Sequence, residues 1–144
     1  MTLNPIVVDS GVAVKWFVAE AHSAQANSIY QDYEDGSLEL LAPDLIYAEF
    51  GNIIWKKQVL QNFDPTDAQI AVKTFQKVIF KITPAADLFD DALRIAVAHK
   101  RTFYDPLYLA LAERGKCEFV TADERLFNAV GASFPNVVWL PDWK

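Results

Sequence analysis

Apolar and polar positions change period repeatedly along this chain. Five short apolar runs read as strands: "IVV" (6–8), "LELLA" (38–42), "VIFKI" (78–82), "EFV" (118–120) and "VVWL" (137–140). Amphipathic stretches between them predict helices over 11–19, 22–34, 44–60, 66–77, 86–100, 106–115 and 124–130. Start and stop signals support several of these. "TDAQ" (66–69) has capping-box spacing. Asp105 and Pro106 offer an N-cap followed by a proline at the first helical position, where its missing N–H costs nothing. Gly115 and Gly131 sit where helices should stop. The run at 78–82 also reads as the tail of the preceding helix. Strands alternating with helices predict an α/β fold, a parallel five-stranded sheet flanked by helices on both faces.

In such a sheet the binding crevice lies at the carboxyl ends of the strands, where the strand order reverses. The first strand ends on Asp9, in "VVDSG", and the fourth runs into "TAD", with Thr121 and Asp123. Asp-Ser-Gly is also a turn sequence in which Ser10 can cap the next helix. Asp123 is equally an N-cap for "ERLFNAV". Glu49 lies in "PDLIYAEFGNIIWKK", in line with Leu45 and Ile53 on the apolar stripe, where a carboxylate is costly unless paired or bound to metal. A partner such as Lys56, or solvent at the edge of the stripe, would satisfy it. Asp105 opens a strongly apolar helix, so it reads as an ordinary cap or as a ligand group at a helix N-terminus.

Bulk properties narrow the setting. The 144 residues fit one domain, and a composition 52% hydrophobic and 13% aromatic excludes disorder. Cys117 is the only cysteine, which rules out an internal disulfide and fits a reducing cytosol. Its setting, "KCEFVTAD", suggests a strand residue used for packing. The N-terminus does not read as a signal peptide and no apolar run has the length of a membrane span, so the expected location is cytoplasmic. A formal charge of −6 argues against a broad phosphate footprint, unless metal ions and a local basic patch mediate the contact.

Four carboxylates drawn together need a cation. Two unit charges ~4 Å apart repel by about 4 kcal/mol at an effective dielectric near 20. A hard ion such as Mg²⁺ or Mn²⁺ favours oxygen ligands and retains several waters. His22 and His99 lack ligand spacing, which argues against zinc. Carboxylate-held Mg²⁺ activates water and clamps phosphate oxygens, the chemistry of phosphodiester hydrolysis. No Gly-rich phosphate loop and no Gly-x-Ser-x-Gly elbow is present.

The blocks "VVDSGVAVKWF", "APDLIYAEFGNIIWK" and "TFYDPLYLALAERGKCEFVTADERL" together resemble PIN-domain ribonucleases, specifically VapC-type toxins of toxin–antitoxin pairs. The resemblance implies a single PIN-like domain over 1–144 and metal-assisted hydrolysis of RNA. It makes Asp9, Glu49, Asp105 and Asp123 the acidic quartet. Asp9 and Asp105 become the principal metal ligands, and Glu49 and Asp123 act through water or a second metal. Ser10, Asn52 and Thr121 become supporting polar residues. Pro106 departs from the small residue relatives usually carry there. The resemblance also implies a homodimer and a cognate antitoxin whose tail occupies the acidic groove. Lys15, Lys56, Lys57, Arg101 and Arg125 are candidates to guide the RNA strand, and Trp16 and Tyr104 to stack on bases. Two rivals are a non-catalytic PIN-like binding module and an aspartyl-phosphate protein of receiver or haloacid-dehalogenase type. The dehalogenase type needs an Asp two residues after the nucleophile, where Gly11 stands.

Overall fold

The computed structural model describes residues 3–144. Strands β1 (Asn4–Val8), β2 (Leu38–Pro43), β3 (Lys81–Thr83), β4 (Glu118–Thr121) and β5 (Val137–Trp139) form one sheet. Its order is β3-β2-β1-β4-β5, and every pairing is parallel. Helices α1 (Ser10–Val14), α2 (Ser23–Glu34), α3 (Leu45–Gln61), α4 (Pro65–Gln76), α5 (Ala85–His99), α6 (Tyr104–Gly115) and α7 (Glu124–Val130) connect them. The expected α/β architecture is therefore the observed one.

Strand periodicity divides the core in two. Ile6, Val8, Leu40, Ala42 and Val120 point to one face, where they pack under α1 to α4. Their neighbours Val7, Leu41 and Phe119 point to the other face, under α5 to α7. Both faces are dry, which is why the strands read as continuous apolar runs rather than alternating ones. From β1 the chain moves outward through β2 and β3, then returns to β4 on the other side of β1. The order thus reverses between β1 and β4, and a crevice opens there at their carboxyl ends.

Four local expectations are corrected. The helix predicted over 11–19 stops at Val14, and the chain continues as turns. Trp16 and Phe17 fold inward there: Trp16 Nε1 donates to the Ala26 carbonyl at 2.9 Å, and Phe17 meets Phe50 and Tyr30 edge to face. Pairing in the third strand starts at Lys81 rather than 78, because the Ile79 N–H donates to the Tyr33 hydroxyl instead of a neighbouring strand. Helix α4 is capped by Asp64, whose side chain accepts from the Asp67 N–H, with Pro65 following; Thr66 is not its cap. Helix α6 begins at Tyr104, so Asp105 lies inside its first turn and is no N-cap. Pro106 is still tolerated, because the first four N–H groups of a helix have no intrahelical acceptor.

Smaller differences concern three chain ends. Lys116, at a φ of 50°, ends α6 one residue after Gly115. Leu140 belongs to a short 3-10 turn and not to β5. Cys117 precedes β4 and is buried; burial and the Glu118 charge push its thiol upward, which suits packing rather than nucleophilic attack. Among the described residues no helix is long and apolar enough to cross a membrane.

Candidate active site

An open cleft of about 270 Å³ occupies the crevice between β1 and β4. Asp9, Glu49, Asp105 and Asp123 all line it, together with Ser10, Gly11, Ile53, Tyr108 and Ala122. Four elements supply the acids. Asp9 follows β1 and caps α1: its Oδ1 accepts from the Val12 N–H at 2.9 Å. The parallel register places Val8 opposite Val120, which brings Thr121 beside Asp9. The fully buried Thr121 hydroxyl donates to Asp9 Oδ2 at 2.5 Å and accepts from the Asp123 N–H at 3.0 Å. Asp123 caps α7 through its Oδ1, which accepts from the Leu126 N–H at 3.1 Å. The cap reading of Asp123 holds, but α1 is capped by Asp9 and not by Ser10, which is its first helical residue; both acids still face the cleft.

Glu49 comes from α3. The Tyr108 hydroxyl donates to its Oε1 at 2.5 Å and Ser10 Oγ approaches the same oxygen at 3.5 Å. Lys56 is not its partner; that lysine is exposed and forms no ion pair among the described residues. Asp105 accepts from Arg101 through Oδ2 at 3.2 Å. Gly11 leaves room between α1 and the end of β4. A Cβ there would lie 3.2 Å from the Ala122 Cβ and 3.4 Å from Asp9 Oδ1.

A family model described as PIN domain matches residues 6–132. The chain belongs to the PIN-domain family. It is 29% identical over 124 residues to "Ribonuclease VapC3" of Pyrobaculum aerophilum, a match covering 84% of this chain and 91% of that protein. Solved structures share the fold. PAE2754 of Pyrobaculum aerophilum superposes with a TM-score of 0.70 at 24% identity, covering 97% of this chain and 93% of the other. A toxin–antitoxin complex from Klebsiella pneumoniae gives 0.60 at 16% identity, covering 94% and 97%. VapC20 of Mycobacterium tuberculosis, described as a sarcin–ricin-loop-cleaving toxin, gives 0.61 at 15% identity, covering 90% and 95%.

The electrostatics of this PIN-domain cleft are those of acids short of positive charge. Burial pushes the Asp9 carboxyl up from 3.8 to about 6 against the pull of its Thr121 and Val12 hydrogen bonds, and the charges of Glu49 and Asp105 raise it further. Burial and the Asp105 charge also raise Glu49, although Tyr108 and Ser10 counter with hydrogen bonds. The Tyr108 phenol is pushed well above its usual range by burial and then by Glu49, so it remains a donor.

The acids fit a hydrated hard cation. All donors are oxygens, and a carboxylate oxygen that accepts one hydrogen bond keeps a second acceptor position. Among the described residues no group of three or more His, Cys, Asp or Glu side chains is placed to hold a metal ion by itself. Mg²⁺ does not need one, since one or two carboxylates and several waters satisfy it.

Of the remaining candidates, Ser10 and Thr121 reach the acids, whereas Asn52 is exposed and does not line the cleft. Trp16 is a core residue and is not placed to stack on a base. Tyr104 is 58% exposed beside Asp105. Lys15 and Lys57 are engaged with Glu20. Sequence reasoning missed Tyr108, which looked apolar within "PLYLALAE". Its spacing three residues after Asp105 puts both on one face of α6, and that was the available signal.

Proposed function

We propose that this chain is a divalent-cation-dependent ribonuclease and the toxin of a toxin–antitoxin pair. One observation carries the reading: acids from four separate elements line one cleft at the sheet's switch point. The 29% identity to a protein named a ribonuclease supports the substrate class. Asp9 and Asp105 would hold Mg²⁺ or Mn²⁺ directly, with Glu49 and Asp123 acting through water or a second ion. Such an ion polarises water for attack on phosphorus and offsets charge on the phosphoryl oxygens.

The chain's own groups set the geometry. Thr121 and the Val12 N–H fix the rotamer of Asp9, and Tyr108 and Ser10 fix Glu49. Tyr104 is exposed and would stack on a base, and Arg125, exposed and two residues after Asp123, would meet a phosphate. The functional unit is one domain over 1–144, active in the cytoplasm as a homodimer. An antitoxin silences it by placing a basic side chain among the acids, where charge-assisted hydrogen bonds are strong. The complex of a fold relative with an antitoxin supports this partner class.

The experiment is cleavage of total RNA and tRNA with and without EDTA, comparing wild type with Asp9→Asn and Asp105→Asn. Both variants should fold and lose at least ~100-fold in rate, as expected when a charge-stabilising group is removed. Normal cleavage by Asp105→Asn would overturn the site assignment.

A further inference from the structure

Arg101 follows α5 and carries the one cation that touches the acids of the cleft among the described residues. Its hold is incomplete. Only Nη2 reaches Asp105 Oδ2, at 3.2 Å, so the pair is not a bidentate fork. Its Nε is buried and has no hydrogen-bond partner. Arg101 is not among the residues that line the cleft. No hydrogen bond is made to Asp105 Oδ1 among the described residues.

We propose that Arg101 is a resident counter-cation that lowers the cleft's affinity for divalent ions in the free protein. The proposal rests on the reading of the cleft as a divalent-cation site. Asp105 is shared between two positive charges whenever an ion binds, and the guanidinium cannot shed its charge. A unit positive charge held against a ligand carboxylate would repel a divalent ion there, and even at the dielectric of water repulsion over several ångströms weakens binding by about tenfold. Alignment of Asp105 by Arg101 works in the opposite direction. A single 3.2 Å contact with an unsatisfied Nε is a weak clamp, so repulsion is the larger effect. Arg101 thus sets, through its charge, how much divalent ion the free protein needs.

The test is titration of the RNA-free protein with Mn²⁺, followed by electron paramagnetic resonance. Arg101→Gln should bind Mn²⁺ about tenfold more tightly than wild type, and Arg101→Lys, which keeps the charge, should stay near wild type. Arg101→Met preserves the packed aliphatic stem and should match Arg101→Gln, which guards against a folding artefact. If Gln and Met variants bind no tighter than wild type while Asp9→Asn loses binding, Arg101 only orients Asp105. The proposal then falls and the cation site stands. Equal tightening by Arg101→Lys would also overturn it, because charge would not be the cause. If wild type and every variant fail to bind Mn²⁺, the cation-site reading falls and takes this proposal with it.

Discussion

Two clusters of charged side chains meet on helix α3, one around the single carboxylate of Glu20 and one around the acids of the cleft, and they behave in opposite ways. At one, Glu20 accepts from both Lys15 and Lys57, at 3.2 Å for Lys15. Burial alone would raise the Glu20 carboxyl, but the two lysine hydrogen bonds and charges outweigh it and hold it below the usual range. At the other, Asp9 and Glu49 are donated only neutral hydrogen bonds and both are raised. The residue types are the same and the partners differ. A carboxylate between two cations closes a loop and is finished as structure. Acids that share a cleft with too little positive charge carry an unmet charge cost, which a cation would relieve in the function proposed above.

The first way to break this comparison is to remove Glu20. The side chains of Lys15 and Lys57 are each only 12% exposed, so Glu20→Ala would leave two poorly solvated ammonium groups facing each other. Loss of one partner from a largely buried cluster costs about 3 kcal/mol. For a domain of this size that lowers the melting temperature by about 10 °C, measurable by circular dichroism. Cleavage per folded molecule should persist, because Glu20 lies outside the acidic cleft. An unchanged melting temperature would mean the cluster contributes nothing to stability.

The second sharpens it through pH. In the folded protein Asp9 binds its proton more tightly than in the unfolded chain, with values of about 6 against 3.8. Between those values the native state holds more protons, so its contribution falls as pH rises. Below about pH 4 the contribution is fully present; above about pH 6 it is gone. Asp9→Asn removes that dependence. Without divalent ions, the variant should match wild type near pH 4 and melt up to about 10 °C higher above pH 6. Mn²⁺ or Mg²⁺ should shrink the gap at high pH by stabilising wild type alone. Glu20 works the other way: its stabilisation is present above the unfolded value of 4.5 and is lost as pH falls through its lowered folded value. A gap between Asp9→Asn and wild type that does not vary with pH would show that Asp9 carries no excess charge cost.

The two groups also differ in how far the sequence announced them. Asp9 and Asp123 were legible because an apolar run that ends on an acid marks the end of a buried strand, and strand ends meet in a parallel sheet. Glu49 was legible as an acid on an apolar stripe. Helix α6 was misjudged at its start because Asp-Pro is a strong local cap signal. The helix instead begins one residue before Asp105, where only packing around the long buried run Pro106–Ala112 sets the boundary. Glu20 gave no signal, since Lys57 lies 37 residues away and long-range pairing leaves no local pattern. Trp16 stood next to an acidic block but was drawn into the core by its neighbours Tyr30 and Phe80, whose proximity only the fold creates.

Thr121 offers the finest cut, because it belongs to the scaffold of the cleft and to none of its charges. Its hydroxyl joins the ends of two paired strands: it donates to Asp9 and receives the Asp123 N–H. Thr121→Val keeps the shape and removes both bonds. The Asp123 N–H then loses its acceptor at the half-buried edge of the cleft, which costs about 1 kcal/mol and lowers the melting temperature by about 3 °C. Asp9 loses the hydrogen bond that most opposes its upward shift. Its proton is therefore held to higher pH, and the acidic limb of the cleavage profile should move up. The same substitution acts on Asp9 without touching its carboxylate. A loss of rate at pH 7 that is recovered by raising the pH would trace the defect to ionisation. A loss that persists at pH 9 would trace it instead to misplacement of Asp9, and the cleft would then depend on Thr121 for geometry rather than for charge.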